Sequence, residues 1–167
     1  MRKILFTLFL LALSLPPRLA TAQTIRIGIF DSRAVALAFY NSAEGRKERE
    51  SFFAQHRSAR DQKRAAELEA LGAARQQLMH QQVFSNGSIL NLNGALRGAF
   101  ESVAKETGVA LIVSKWEVAW RDPAVEYLDV TDALVDRLQP DANVRGMMSS
   151  VKAQEPLPLA EALAIRD

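Results

Sequence analysis

The feature that most constrains this chain is the stretch from about Ser42 to Gln82, rich in Glu, Arg, Lys, Gln and Ala and free of proline. These are strong helix formers, and only Gly45 and Gly72 interrupt them, so the stretch predicts one long helix, or two broken near Gly72 or Asp61. Between Ala54 and Glu67 its only apolar residues are alanines, which cannot bury a wide stripe on a globular core. This part is expected to project into solvent or to pair with another helix. Unbroken, it would reach roughly 60 Å, longer than a compact domain of this size is wide. Phe52 and Phe53 at one end, and Leu68, Leu71, Leu78 and Met79 at the other, supply two candidate contact patches.

The N-terminus carries a different signal. Arg2 and Lys3 precede an apolar run from Ile4 to Leu15, followed by Pro16, Pro17 and the small residues Ala20-Thr21-Ala22. This is the pattern of a secretory signal peptide over residues 1–22, with cleavage after Ala22 and a mature chain from Gln23. The run is too short to span a bilayer, and no later segment is apolar for long enough, so no stable membrane insertion is expected after cleavage. Removing Arg2, Lys3 and Arg18 leaves 18 basic against 19 acidic residues, from 21 and 19 in the whole chain. The basic character of the full sequence therefore gives no reason to expect a nucleic-acid partner. With no cysteine, an exported domain of this size must hold together by its core or by oligomerisation.

Around the long helical stretch lie short elements. TIRIGIFD (24–31) alternates as a half-buried strand ending in Asp31, and Arg33 to Tyr40 reads as a short helix or turn packed on the sheet. VFSNGSILNLNG (83–94) holds two Asn-Gly pairs and predicts a loop. Ala95 to Thr107 resumes helical spacing, with Leu96, Ala99, Phe100 and Val103 on one face and Gly108 at the C-cap. VALIVS (109–114), EVAWR (117–121) and VEYLDV (125–130) predict three more strands, the last two a hairpin turning at Asp122-Pro123. Thr131 is a candidate N-cap for a helix over 132–139, stopped by Pro140. A short helix over 141–152 and a tail come next, with Leu159, Ala160 and Leu163 expected to dock as one apolar turn. The fold class is α+β, a single domain over 23–139 with a helical arm at about 42–107 and a C-terminal extension over 140–167.

The search for chemistry returns little. The two histidines, His56 and His80, lie 24 positions apart in the polar helical stretch, expected at the surface or between helices. There is no cysteine and no HExxH, and the scattered glycines fit neither a dinucleotide nor a P-loop spacing, so no metal, no cofactor and no catalytic residue is assigned. Asp31, Asp129 and Asp132 stand at strand ends, where Asp is favoured for capping; together they would also be the candidate acid site of an enzyme. Trp116 and Trp120 would share a strand face, as core, as subunit interface or as an aromatic ledge for a partner. Phe52, Phe53, Leu68, Leu71, Trp116 and Trp120 are accordingly the candidate partner contacts.

The order of elements, with IRIGIFD (25–31), VAKETGVALIVSK (103–115) and YLDVTDALVDRL (127–138), resembles the Skp/OmpH family of periplasmic chaperones. The resemblance implies a trimer whose small β-body gathers strands from three chains while paired helices project as arms around unfolded outer-membrane proteins. This chain departs from the family in its unequal helices, its near-neutral mature charge, its 83–94 loop and its tail. The resemblance and the departures together imply a divergent, short-armed, periplasmic binding protein without catalysis. The alternative is an envelope structural or adaptor protein that docks one fixed partner through its long helix.

Overall fold

The structure, a computed structural model, describes residues 25–58 and 62–165. The signal segment over 1–22 and the position Asp61 lie outside the described residues. A small parallel sheet and a set of helices make up the α+β architecture. Strand β1 (Arg26–Phe30) is central, flanked by β2 (Leu111–Ser114) and β3 (Glu126–Asp129). Ile27 stands opposite Leu111 on one side and Tyr127 on the other, and both pairings are parallel.

Helix α1 (Ser32–Asn41) comes directly after β1. Asp31 caps it, accepting a hydrogen bond from the Arg33 main-chain N–H at 3.0 Å. Ala34, Val35, Ala36, Ala38 and Phe39 are all buried, so apolar residues occupy more than one face, which marks an interior helix rather than an amphipathic surface one. This explains why the stretch 33–40 lacks a clean period. α1 packs against the later helices α3, α5 and α6.

Ser42 ends α1 and starts α2 (Ala43–Ser58), where its Oγ accepts from the Gly45 N–H at 3.1 Å. Gly45 is required at this corner, because a Cβ there would lie 2.3 Å from the Phe39 carbonyl oxygen. Gly45→Ala is expected to cost about 1–3 kcal/mol through the backbone shift it forces, read as a lowered denaturant midpoint with an unchanged slope. A midpoint equal to wild type would contradict the close approach.

The long polar stretch is two helices. α2 ends at Ser58 and α3 spans Gln62–Phe84, and the chain has reversed between them, because the Phe52 ring lies against Gly72 and Arg75. The two helices are therefore separated between Ser58 and Gln62 and not at Gly72. Gly72 lies inside α3, where a Cβ would stand 3.4 Å from the Phe52 ring. With 16 residues in α2, the arm is about 24 Å long on that side. The lower part of α3 enters the core through Val83, with His80 and Gln82 also buried, while His56 on α2 is exposed.

The first Asn-Gly pair closes α3: the Ser85 and Gly87 N–H groups both donate to the Gln81 carbonyl, at 3.2 and 3.1 Å. The second does not make a loop. Asn93 and Gly94 open α4 (Asn93–Thr107) after a 3₁₀ turn at Leu90–Leu92, so the loop is shorter than the sequence pattern predicts. Gly108 closes α4 in the left-handed conformation, φ 69°, as expected of a C-cap glycine.

Residues 117–121 are not a strand, and no hairpin forms with 126–129. Asp122 does make the expected turn, its carbonyl accepting from Val125 N–H at 3.1 Å. At the end of β2 the chain turns instead, the Glu117 N–H donating to the Ser114 carbonyl at 3.1 Å, with the Lys115 and Trp116 side chains held to Asp31. β3 then adds to the free side of β1. Thr131 is the first residue of α5 (Thr131–Arg137), not its cap; its hydroxyl accepts from the Asp31 N–H at 2.9 Å. Helix α6 (Ala142–Lys152) is capped by Asp141 and places Val144 and Met148 in the core beside α1. Helix α7 (Leu159–Ala164) packs on α3 and buries Ala162, whereas Leu159 and Leu163 are exposed, contrary to the expected apolar turn. Leu157 straps this segment to α3, donating to the Phe84 carbonyl and accepting from Ser85 Oγ.

Candidate functional site

Two constructions stand out, one at the ends of the strands and one at the root of the helical hairpin. The first is built on Asp31. Its Oδ1 accepts from the Arg33 N–H and Nε and from Trp116 Nε1, at 3.0, 3.1 and 3.1 Å. Its Oδ2 accepts from an Arg33 terminal nitrogen at 3.0 Å and from Lys115 Nζ at 2.9 Å. Arg33 and Lys115 also lie over the Trp116 ring, 4.7 and 4.3 Å from its centroid. Asp31 and Arg33 are 1% and 2% exposed. Burial alone would raise the Asp31 pKa, but the donors from Arg33, Lys115 and Trp116 outweigh it and hold the carboxyl at about 2.

A carboxylate offers about four lone-pair positions, and this one already serves five donors, so none remains to take a proton from a substrate. Asp129 accepts from the Thr131 N–H, and Asp132 forms an exposed ion pair with Lys152. The three aspartates are thus engaged separately. Among the described residues no cluster of histidine, aspartate or glutamate is placed to hold a metal ion. Nor does any described helix have the length and apolarity to cross a membrane.

The second construction is a groove of about 610 Å³ where α1, α2 and α3 meet. Phe52 and Phe53 form its outer wall, with ring centroids 6.0 Å apart at 63°. Phe39 and Tyr40 form its floor, 5.7 Å apart at 69°, and Leu78 and Met79 complete the apolar lining. The Arg75 guanidinium stands 5.1 Å over the Phe52 ring, and Glu48 and Arg49 line the rim. Beneath the floor, Tyr40 Oη donates to Gln82 Oε1 at 2.5 Å, and the buried Gln82 amide donates to the Ser88 carbonyl and Asn91 Oδ1. Burial pushes the Tyr40 phenol above its usual pKa, so it stays a neutral donor to Gln82.

The six sequence-predicted contacts are therefore divided. Phe52 and Phe53 meet Leu78 and Met79 in the groove, which joins parts of the two expected patches. Leu68 is buried and Leu71 is half exposed, and neither lines it. Trp116 belongs to the Asp31 cluster, while Trp120 is 73% exposed, so the two tryptophans do not form a ledge on one strand. Arg33 and Gln82 were not legible as site residues. The only trace of Arg33 is its position two after a strand-ending Asp.

The class these features define is an α+β protein with a three-stranded parallel sheet and a short helical hairpin. Comparison with family models, with curated proteins and with solved structures finds no match for the chain.

Proposed function

We propose that the protein is a periplasmic, chaperone-like factor of OmpH-like fold that holds unfolded or outer-membrane polypeptides without catalysis. The observation that carries this reading is the aromatic groove at the root of the hairpin, where Phe53 is 50% exposed beside Phe52. Unfolded membrane-barrel segments are rich in aromatic and aliphatic side chains, and a groove of edge-to-face rings with a mixed-charge rim takes them without demanding one sequence. Arg75 and Glu48 at the rim would keep the groove hydrated when empty.

Self-assembly is suggested by the sheet. The helices gather on the side of Phe30 and Ile112, with the Phe30 ring tilted against Phe100 of α4, centroids 5.6 Å apart. On the opposite side, Ile27, Ile29, Val113 and Tyr127 are only partly covered, and Ile25 and Leu111 are 63% and 55% exposed. Parallel sheets are normally covered on both faces, so this face calls for other copies of the chain, in a trimer on the family resemblance. Export through residues 1–22 would deliver the assembly to the periplasm.

A photoreactive side chain at Phe53 tests the reading in cells. Crosslinks to many different outer-membrane polypeptides are expected. A single constant partner would overturn client holding and favour the adaptor.

A further inference from the structure

Trp120 and Leu90 are the most exposed large apolar side chains among the described residues, at 73% and 72%. They belong to different places. Trp120 lies on the connection from β2 to β3, where the Arg121 guanidinium stands 5.4 Å over the Tyr127 ring and the Asp122 N–H donates to the Tyr127 hydroxyl at 3.2 Å. Those two contacts hold residues 120–122 on the β3 side of the sheet. Leu90 stands with the exposed Leu111 on the rim of a trough of about 440 Å³ between β2 and α4, whose apolar wall includes Phe30, Phe100 and Ala104. β1 separates β3 from β2, so the protruding tryptophan and the trough lie toward opposite edges of the sheet. The charged side chains that line the trough, Glu101 and Glu117, are both acidic, whereas the neighbour of the tryptophan is Arg121. Among the described residues Arg121 and Glu117 have no ion-pair partner, and Glu101 has only the exposed Arg97 at 3.5 Å.

We infer that Trp120 of one copy seats in the trough of the next, with its Arg121 beside Glu101, so that copies of the chain join head to tail; the inference deepens the self-assembly proposed above and rests on it. Each copy then offers a knob and a hollow on different patches, an arrangement that closes into a ring when the rotation allows. The trough has the volume of a site that encloses a small ligand, enough for one indole, and a tryptophan buries about 150–250 Å². The rim leucines and the open sheet face with Ile25 supply the rest of the ~800 Å² per partner of a stable contact. The aromatic groove is the other hollow, but Arg49 and Arg75 line it and would face Arg121. A membrane surface also fits less well, since Glu117 and Asp122 flank the tryptophan in sequence and anionic lipid calls for a cluster of cations.

Sedimentation of the chain from Gln23 onward over a dilution series tests the contact. Trp120→Ala removes the knob and Ala104→Phe fills the trough from α4, and each is expected to weaken assembly about tenfold or more at unchanged helicity. Leu90→Asp, on a side chain outside the core, is expected to weaken it too, and stands in for Ala104→Phe if that variant misfolds. Mixed in equal amounts, Trp120→Ala and Ala104→Phe are expected to form a one-to-one pair and nothing larger, because one retains the trough and the other the tryptophan. Wild-type assembly by Trp120→Ala, or a mixture that stays monomeric, would overturn the knob-and-trough contact while leaving assembly through the sheet face standing. A wild-type chain that is monomeric throughout would remove both. Cosedimentation of that monomer with phosphatidylglycerol vesicles, lost in Trp120→Ala, would give the tryptophan to a membrane surface instead.

Discussion

Asp31→Ala should destabilise the protein by about 3–5 kcal/mol, because it leaves the Arg33 guanidinium buried without its partner. The same change removes the cap of α1 and the anchor of Trp116. Replacing both charges, as in Asp31→Leu with Arg33→Met, should recover a large part of the loss, since the desolvation cost disappears together with the attraction. Chemical unfolding of the two variants checks this, and equal stability of the single and double variants would contradict it. The pH dependence comes from the same group. Its pKa lies at about 2 in the folded state against an ordinary 3.8, so the unfolded chain binds the proton first as pH falls. The contribution, about 2 kcal/mol, is complete above pH 4–5 and is lost as pH drops toward 2. The double variant should lose this part of the acid sensitivity.

Phe39→Ala should cost about 3–5 kcal/mol. Phe39 is 1% exposed in the helix on which α3, α5 and α6 converge, so its truncation opens a cavity beneath the groove floor among packed helices. Phe53, 14 positions along and half exposed, makes the contrast. Phe53→Ala should change stability by no more than about 0.5 kcal/mol while weakening the hold on unfolded polypeptides. Thermal unfolding of both variants separates the residue that builds the groove from the residue that uses it. Comparable losses for the two would mean that Phe53 is a core residue.

Much of this architecture was legible in the sequence. The alternation of Ile25, Ile27 and Ile29, the face shared by Leu96 and Val103, and Gly108 each act locally, and their signals survive in the fold. The alanine-only stretch could be read as a helix that projects or pairs with another, whereas whether it folds back, and where it breaks, could not. Neither Gly72 nor Asp61 carries a decisive helix-stopping pattern, and the choice is made by Phe52 packing on Gly72. The strand over 117–121 failed because its alternation was real but had no partner once Lys115 and Trp116 were drawn to Asp31. That interaction joins positions more than 80 residues apart, which no local pattern encodes. Thr131 failed as a cap for the same reason, its hydroxyl being used by the Asp31 N–H. Of the site, Phe52 and Phe53 could be read as exposed aromatics in a polar helix, whereas their meeting with Leu78 and Met79 required the chain reversal.

The central proposal is that the protein holds unfolded chains through the aromatic groove. Light scattering of a urea-denatured outer-membrane barrel diluted into buffer, with and without the chain from Gln23 onward, tests it most directly. The wild-type protein should suppress the scattering at about one assembly per client, and Phe52→Ser/Phe53→Ser should lose that effect while remaining folded. Scattering that rises equally with and without the wild-type protein would contradict the account.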